Sequence, residues 1–424
     1  MKLMYRMFSL FFLMEMFFCI TYVDSADKFK LKPGAEGKIC LDCHSDFEKK
    51  IGGKFVHTPV KSRDCRGCHN PHASTYDKML SNSTKEICFT CHEEIIPKNA
   101  ASTHKVVVEG NCVKCHDPHG SNNKFNLLKE GNDLCFDCHR KKGDEIKKFE
   151  FKHSPVEGNC LNCHNPHASV ESAYLLKNKV PSICNDCHKT DSQAFVRQHM
   201  NYPVGGQKCN ICHSVHGSNK AGLLYSNVHQ PVSGKMCAQC HEDFNSKTPF
   251  ATKKAGVELC KDCHSDMISQ VLGKSHVHPA LDDNNSCLNC HSPHATDQPK
   301  LLKDTMVEVC NNCHPDVIEK IITVKTKHAP VSEGTCTACH MPHSSESAFL
   351  LKTPTVIGLC GGCHDWQGHS THPIGEKVFD PRDKTHTRTV DCLSCHEPHG
   401  NDFERMLRYK VQTELCTQCH QEKR

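Results

Sequence analysis

His153-Ser-Pro-Val156, Cys160-Leu-Asn-Cys163-His164-Asn-Pro-His167, Leu175-Leu176-Lys177 and Cys184-Asn-Asp-Cys187-His188 follow one another within 36 residues. Two Cys-x-x-Cys-His motifs lie in this stretch, in two different settings. The first has a histidine ahead of it and a Pro-His behind it. The second is entered from a Leu-Leu-Lys patch. Read outward in both directions, the same two settings recur, with motif spacings of mostly 23 to 27 residues.

The motif occurs sixteen times and uses 32 of the 33 cysteines. The first four are Cys40, Cys43 and His44; Cys65, Cys68 and His69; Cys88, Cys91 and His92; Cys112, Cys115 and His116. The next four are Cys135, Cys138 and His139; Cys160, Cys163 and His164; Cys184, Cys187 and His188; Cys209, Cys212 and His213. Then come Cys237, Cys240 and His241; Cys260, Cys263 and His264; Cys287, Cys290 and His291; Cys310, Cys313 and His314. The last are Cys336, Cys339 and His340; Cys360, Cys363 and His364; Cys392, Cys395 and His396; Cys416, Cys419 and His420. Each has the spacing of a covalent haem c attachment site, two thioether sulfurs followed by an iron-ligating imidazole. Zinc ribbons pair Cys-x-x-Cys motifs without needing a histidine after each one. Here it follows all sixteen, which points to sixteen haems.

Composition agrees. Hydrophobic residues make up 37% of the chain, with one Trp and seven Tyr, too few for protein-only cores. The haems must be the core, so folding depends on their attachment. The formal charge of +4 does not point to nucleic acid. Sixteen ferric haems at about −1 each bring the total to about −12.

The other eighteen histidines carry the mechanism. His57, His104, His153, His199, His278, His328 and His386 open the first setting. His72, His119, His167, His216, His294, His343 and His399 close it. His229 stands in an insertion before Cys237, and His276, His369 and His372 compete for the sixteenth place. These are the candidate distal ligands. His69 and His72 are too close along the chain to cover both faces of one haem, so a closing histidine should serve a neighbouring iron. Two imidazoles per iron leave no substrate position, which favours electron transfer over catalysis. Met200, Met236 and Met341 read as packing residues.

Lys2 and Arg6 precede an apolar run over 7–20, broken by Glu15, with Ser25 and Ala26 offering a cleavage point. This predicts a cleaved export signal over 1–26, carrying away the unmatched Cys19, and a periplasmic or extracellular protein. Cys237 and Cys260 follow each other without a Pro-His between them. That break predicts a nine-haem array over 27–245, a linker over 246–258 and a seven-haem array over 259–424. Helical pairing of apolar residues predicts amphipathic helices over 266–272 and 316–324. The Pro two residues after each first-setting motif should stop its helix. The fold class is mostly irregular with short α-helices and very little strand, an elongated repeat array.

The pattern His-x-Pro-Val, Cys-x-x-Cys-His-x-Pro-His, Leu-Leu, Cys-x-x-Cys-His, at 153–188 and 328–364, resembles the doubled-CxxCH multihaem c-type cytochromes and covers nearly all of 38–420. It is similar to periplasmic penta- and decahaem carriers, including those seated in outer-membrane porins. The resemblance implies bis-histidine, low-potential haems in a linear array. It also implies a quinone-side donor, a periplasmic or outer-membrane acceptor, and a role in anaerobic respiration or extracellular electron transfer. No CxxCK motif occurs, the substrate-haem signature of cytochrome c nitrite reductases. A reductase with one five-coordinate haem, sought in the Cys360 to Cys392 interval with Trp366, and a filament-forming cytochrome are the alternatives.

Overall fold

Within the motifs, two local conformations alternate along the chain. The computed structural model describes residues 37–367, 373–409 and 412–421. The export signal over 1–26, and with it Cys19, lies outside the described residues, as do His369 and His372.

Eight motifs lie in α-helices: Lys38–Cys43, Thr84–Phe89, Gly131–Phe136, Ser182–Asn185, Val257–Leu272, Met306–Asn311, Val356–Gly361 and Gln412–Cys416. Three of these helices start on a hydroxyl cap, with Ser83, Thr305 and Thr355 accepting from the N–H of Glu86, Glu308 and Gly358. The other eight motifs sit in a single 3-10 turn: Cys65–Gly67, Cys112–Lys114, Cys160–Asn162, Cys209–Ile211, Cys237–Gln239, Ser286–Asn289, Cys336–Ala338 and Cys392–Ser394. In this turn class the chain leaves the motif histidine in an extended bridge to a residue eleven or twelve positions on. His69 bridges Leu80, His164 bridges Leu176 and His340 bridges Leu351.

Among the described residues, strand is confined to five two-stranded antiparallel sheets of two residues per strand. Each pairs the segment before an opening histidine with the segment after a closing one. Phe55–Val56 lies on Gly120–Ser121, Ser102–Thr103 on Ala168–Ser169, and His276–Val277 on Ser344–Ser345. Thr326 and Asn401 make the same crossing as a lone bridge.

The amphipathic helices expected over 266–272 and 316–324 are present as the end of Val257–Leu272 and as Pro315–Thr323. Each buries one isoleucine, Ile268 and Ile318. Only eight apolar side chains are buried among the described residues, far fewer than a protein-only core over this length needs.

The structure relocates the break in alternation. Cys237 is in the turn class, and His241 bridges Thr252 as its counterparts bridge leucine. Two turn-class motifs, Cys209 and Cys237, therefore stand in succession, and the fault divides eight motifs from eight instead of nine from seven. The reason is local: the insertion carrying His229 gives Cys237 a complete opening segment, Gln230–Ser233 included. By contacts the chain forms two compact units. One holds the chain up to Lys148 with Ser154–Lys179, the other Phe149–His153 with the chain from Val180. Residues 246–258 lie within the second.

Candidate haem-binding sites

The histidines meet in pairs, each joining a motif histidine to one outside the motifs. In the first unit the ring centres of His57 and His92 are 5.9 Å apart, His69 and His119 6.1 Å, His104 and His139 6.1 Å, and His116 and His167 6.3 Å. In the second, His153 and His188 lie at 6.0 Å, His199 and His213 at 6.3 Å, His229 and His264 at 6.2 Å, and His241 and His294 at 5.9 Å. His278 and His314 lie at 6.2 Å, His291 and His343 at 5.9 Å, His328 and His364 at 5.9 Å, and His340 and His399 at 6.2 Å. A metal–imidazole bond of about 2.0 Å, plus about 1.1 Å from nitrogen to ring centre, puts two trans imidazoles about 6.2 Å apart. All twelve pairs match that spacing.

The pairing follows the class of motif. Opening histidines face helical-class motif histidines 35 or 36 residues later, passing over the turn-class motif between. Closing histidines face the motif histidine of the preceding turn-class unit. Both ends of this arrangement are fixed at one crossing: His57 N–H donates to His119 O at 3.2 Å, and His57 Nδ1 donates to Pro118 O at 2.9 Å. His104 with Pro166, His153 with Val215 and His229 with Pro293 repeat the second bond at 2.9, 3.0 and 2.9 Å.

Every turn-class motif histidine is anchored in the same way, by Nδ1 to a backbone carbonyl nine or ten residues on. The acceptors include Lys78, Phe125, Tyr174, Phe250 and Phe349, at 3.0, 2.9, 2.8, 3.0 and 2.8 Å. A carbonyl only accepts, so Nδ1 carries the proton and Nε2 is left as the free lone pair. That is the tautomer an axial ligand needs, already oriented. The acceptor residue is often held in the left-handed region, as at Lys78, Phe125, Tyr174 and Phe349, with φ of 56°, 60°, 58° and 57°. Such backbone costs about 1 kcal/mol or more per residue and here serves to aim a carbonyl. Burial, with the facing imidazole, holds His119, His167, His294, His343 and His399 below the usual histidine range. Neutral imidazole is the metal-ligating form.

All 32 motif cysteines carry reduced thiols, available for thioether bonds. Their contacts run in chain order. The thiols of Cys40 and Cys65, Cys88 and Cys112, and Cys135 and Cys160 hydrogen-bond in the first unit. Cys260 with Cys287, Cys310 with Cys336 and Cys360 with Cys392 do so in the second. At the intervening steps Cys68 lies near Cys91, and Cys240 near Cys263. Across the fault Cys212 lies near Cys237. The second unit encloses a continuous cavity of about 5150 Å³ lined by ten of the motifs, from Cys184 to Cys416. That leaves about 500 Å³ for each, within the usual range of about 300–1,000 Å³ for one cofactor. Spacing, tautomer, thiols and volume all fit haem.

The fault holds a pairing that the repeat pattern alone does not disclose. His241-Glu-Asp-Phe244 occupies the place of the usual His-x-Pro-His, so Phe244 stands where a closing histidine would. His213 therefore lacks its ordinary partner. His199, an opening histidine by position, faces it instead, from only fourteen residues away. Its Nδ1 donates to Phe195 O at 2.9 Å from the end of the helix Gln193–Gln198. Tyr202 fills the junction: it is 3% exposed, packs on Phe244 and Phe250, and donates its hydroxyl to Glu242 O at 2.7 Å. The signal was present in the short distance from His199 to His213 and in the replacement of His-x-Pro-Val by His199-Met-Asn-Tyr.

Four candidates are not brought to another imidazole among the described residues. His44 and His72 are exposed, His276 is exposed in its short strand, and His386 is exposed and stacks on Phe379 at 5.4 Å. His386 belongs to a hairpin in the long interval before Cys392, where Phe379 bridges Thr389 and buried Asp380 takes both Nε and Nη2 of Arg382. His164, His216, His396 and His420 all have interaction partners. No helix among the described residues is long and apolar enough to cross a membrane.

These features define a multihaem c-type cytochrome with covalently held haem c. The chain belongs to the doubled CXXCH motif family, which matches residues 57–96, 104–144, 153–193, 201–228, 229–269, 278–319, 328–369 and 386–424. The short match at 201–228 is the unit that the fault leaves without a helical-class motif. The chain is also similar to the multiheme cytochrome MtrA of Shewanella baltica (strain OS185), 34% identical over 67 residues. That match covers 15% of this chain and 20% of the relative.

Proposed function

We propose that this protein carries electrons along sixteen covalently attached haems, outside the cytoplasm, in anaerobic respiration or extracellular electron transfer. The observation that carries the reading is the set of twelve histidine pairs at axial-ligand spacing. Bound haem supplies one-electron transfer between low-spin ferric and ferrous iron. The chain does the rest. Its carbonyls fix the proton on Nδ1, and its crossings place a second imidazole opposite each of eleven motif histidines. Its cysteines hold successive sites in chain order, so that transfer within each unit needs no motion. The partners are redox proteins, a quinone-side donor and a periplasmic or outer-membrane acceptor, with an outer-membrane porin as one setting. The MtrA match supports this pathway class.

The test is intact mass with EPR on purified protein. Sixteen haems per chain, at least twelve of them low-spin and six-coordinate, is the expected result. Fewer than twelve low-spin irons would sink the assignment of the pairs.

A further inference from the structure

The first motif departs from the pairing rule, and in two ways at once. Six helical-class motif histidines face an opening histidine 35 or 36 residues earlier. For His44 that register falls at Ser9, and residues 1–36 contain no histidine. The neighbouring closing histidine does not make up the difference. His119, His167, His294, His343 and His399 each face the motif of the preceding turn-class unit. The motif ahead of His72 is the helical one at Cys40, and His72 lies exposed with its N–H on Asn70 Oδ1.

A second observation points the same way. The residue before the first cysteine of a helical-class motif is apolar in all eight cases. Ile87, Leu134, Ile183, Leu259, Val309, Leu359 and Leu415 are half-buried, whereas Ile39 is 76% exposed. Among the described residues, Ile39 alone of these eight stands clear of neighbouring chain.

We infer that the site of Cys40, Cys43 and His44 is coordinatively open and takes a small exogenous ligand on the side opposite His44. The chemical class is the diatomic π-acceptor, carbon monoxide or nitric oxide on reduced iron. The described residue that stands out beside it is the apolar, exposed Ile39, which suits a small uncharged ligand. This rests on haem occupancy of the motifs, as proposed above, and not on the electron pathway.

The experiment is a carbon monoxide titration of the full-length, haem-loaded protein, reduced under anaerobic conditions and followed by optical difference spectra. One equivalent is expected from this site, about one part in sixteen of the haem absorbance. It should vanish in the Cys40→Ser/Cys43→Ser variant, whose intact mass is lower by one haem. His57→Ala, which frees the partner of His92, should add a second equivalent and so calibrates the response. If the double variant does not accumulate, His44→Ala should shift the band of the single adduct, because His44 is its trans ligand. No uptake by wild-type protein overturns the inference, as does uptake undiminished by loss of the first haem. Uptake that appears only in His72→Ala also overturns it, since His72 would then close the site. A full haem count without uptake would leave the electron-carrier reading in place.

Discussion

The unit opened by His278 and the unit opened by His199 start from the same plan and reach opposite pairings. His278 passes over its own motif and faces His314, while the motif histidine of that unit, His291, is met by His343. His199 turns back onto its own motif at His213. The difference lies not in the histidine but in the segments downstream of it. Where Pro342-His343 closes the next regular unit, Asp243-Phe244 stands beyond the fault. A missing donor on one side is made good by a spare donor on the other, and the packing of Tyr202 on Phe244 replaces the ligand crossing. The histidine pairing is therefore decided by neighbours, not by a residue's place in its own repeat.

Preventing haem attachment should erase the comparison altogether. With eight buried apolar side chains among the described residues, chain made without haem is expected to show no cooperative thermal transition and rapid proteolysis. A folded apo-protein would refute haem as the core. Next in size, His199→Ala and His294→Ala should each open one iron, at Cys209 and Cys237. Each should add one carbon monoxide equivalent, and His276→Ala should add none. Adding Asp243→Pro and Phe244→His to His199→Ala rebuilds the regular closing segment, so the added equivalent should disappear. If it persists, the compensation at the fault has been misread. Tyr202→Ala should cost about 3 kcal/mol of stability through lost aromatic packing, against about 1 kcal/mol for Tyr202→Phe, which loses only the bond to Glu242 O. Thermal melts of the two variants separate these.

The smallest effect lies in a regular crossing. Ser275 and Lys274 hold the Glu346 carboxyl down to about 2. A depressed carboxylate stabilises the fold above its unfolded value of about 4.5, and the benefit fades as pH falls toward 2. Glu346→Gln should flatten the acid limb of a stability curve in that window, with no change at pH 7 beyond the loss of an exposed contact.

Much of this was legible in the chain. Cysteine spacing identified the sites, and the surplus of histidine pointed to a second ligand per iron. The rule that His72-type residues cannot serve their own haem followed from three residues of backbone. The register of the pairings was not legible, because it is set by two-residue strands such as Phe55–Val56 on Gly120–Ser121, too short to leave a pattern. Nor were the carbonyl anchors. Nothing in Lys78, Phe125 or Tyr174 announces left-handed backbone, which the histidine bond imposes from outside. The fault falls one motif earlier than expected because the opening segment at His229 decides the class of Cys237.

At each crossing one backbone contact seats two imidazoles, such as His57 for the site at Cys88 and His119 for the site at Cys65. An array built this way has a natural unit of inheritance. It can be lengthened or shortened by whole crossings, two haems at a time, with every ligand still matched. Gaining or losing a single haem strands one donor and orphans one iron, unless a histidine nearby is free to change allegiance.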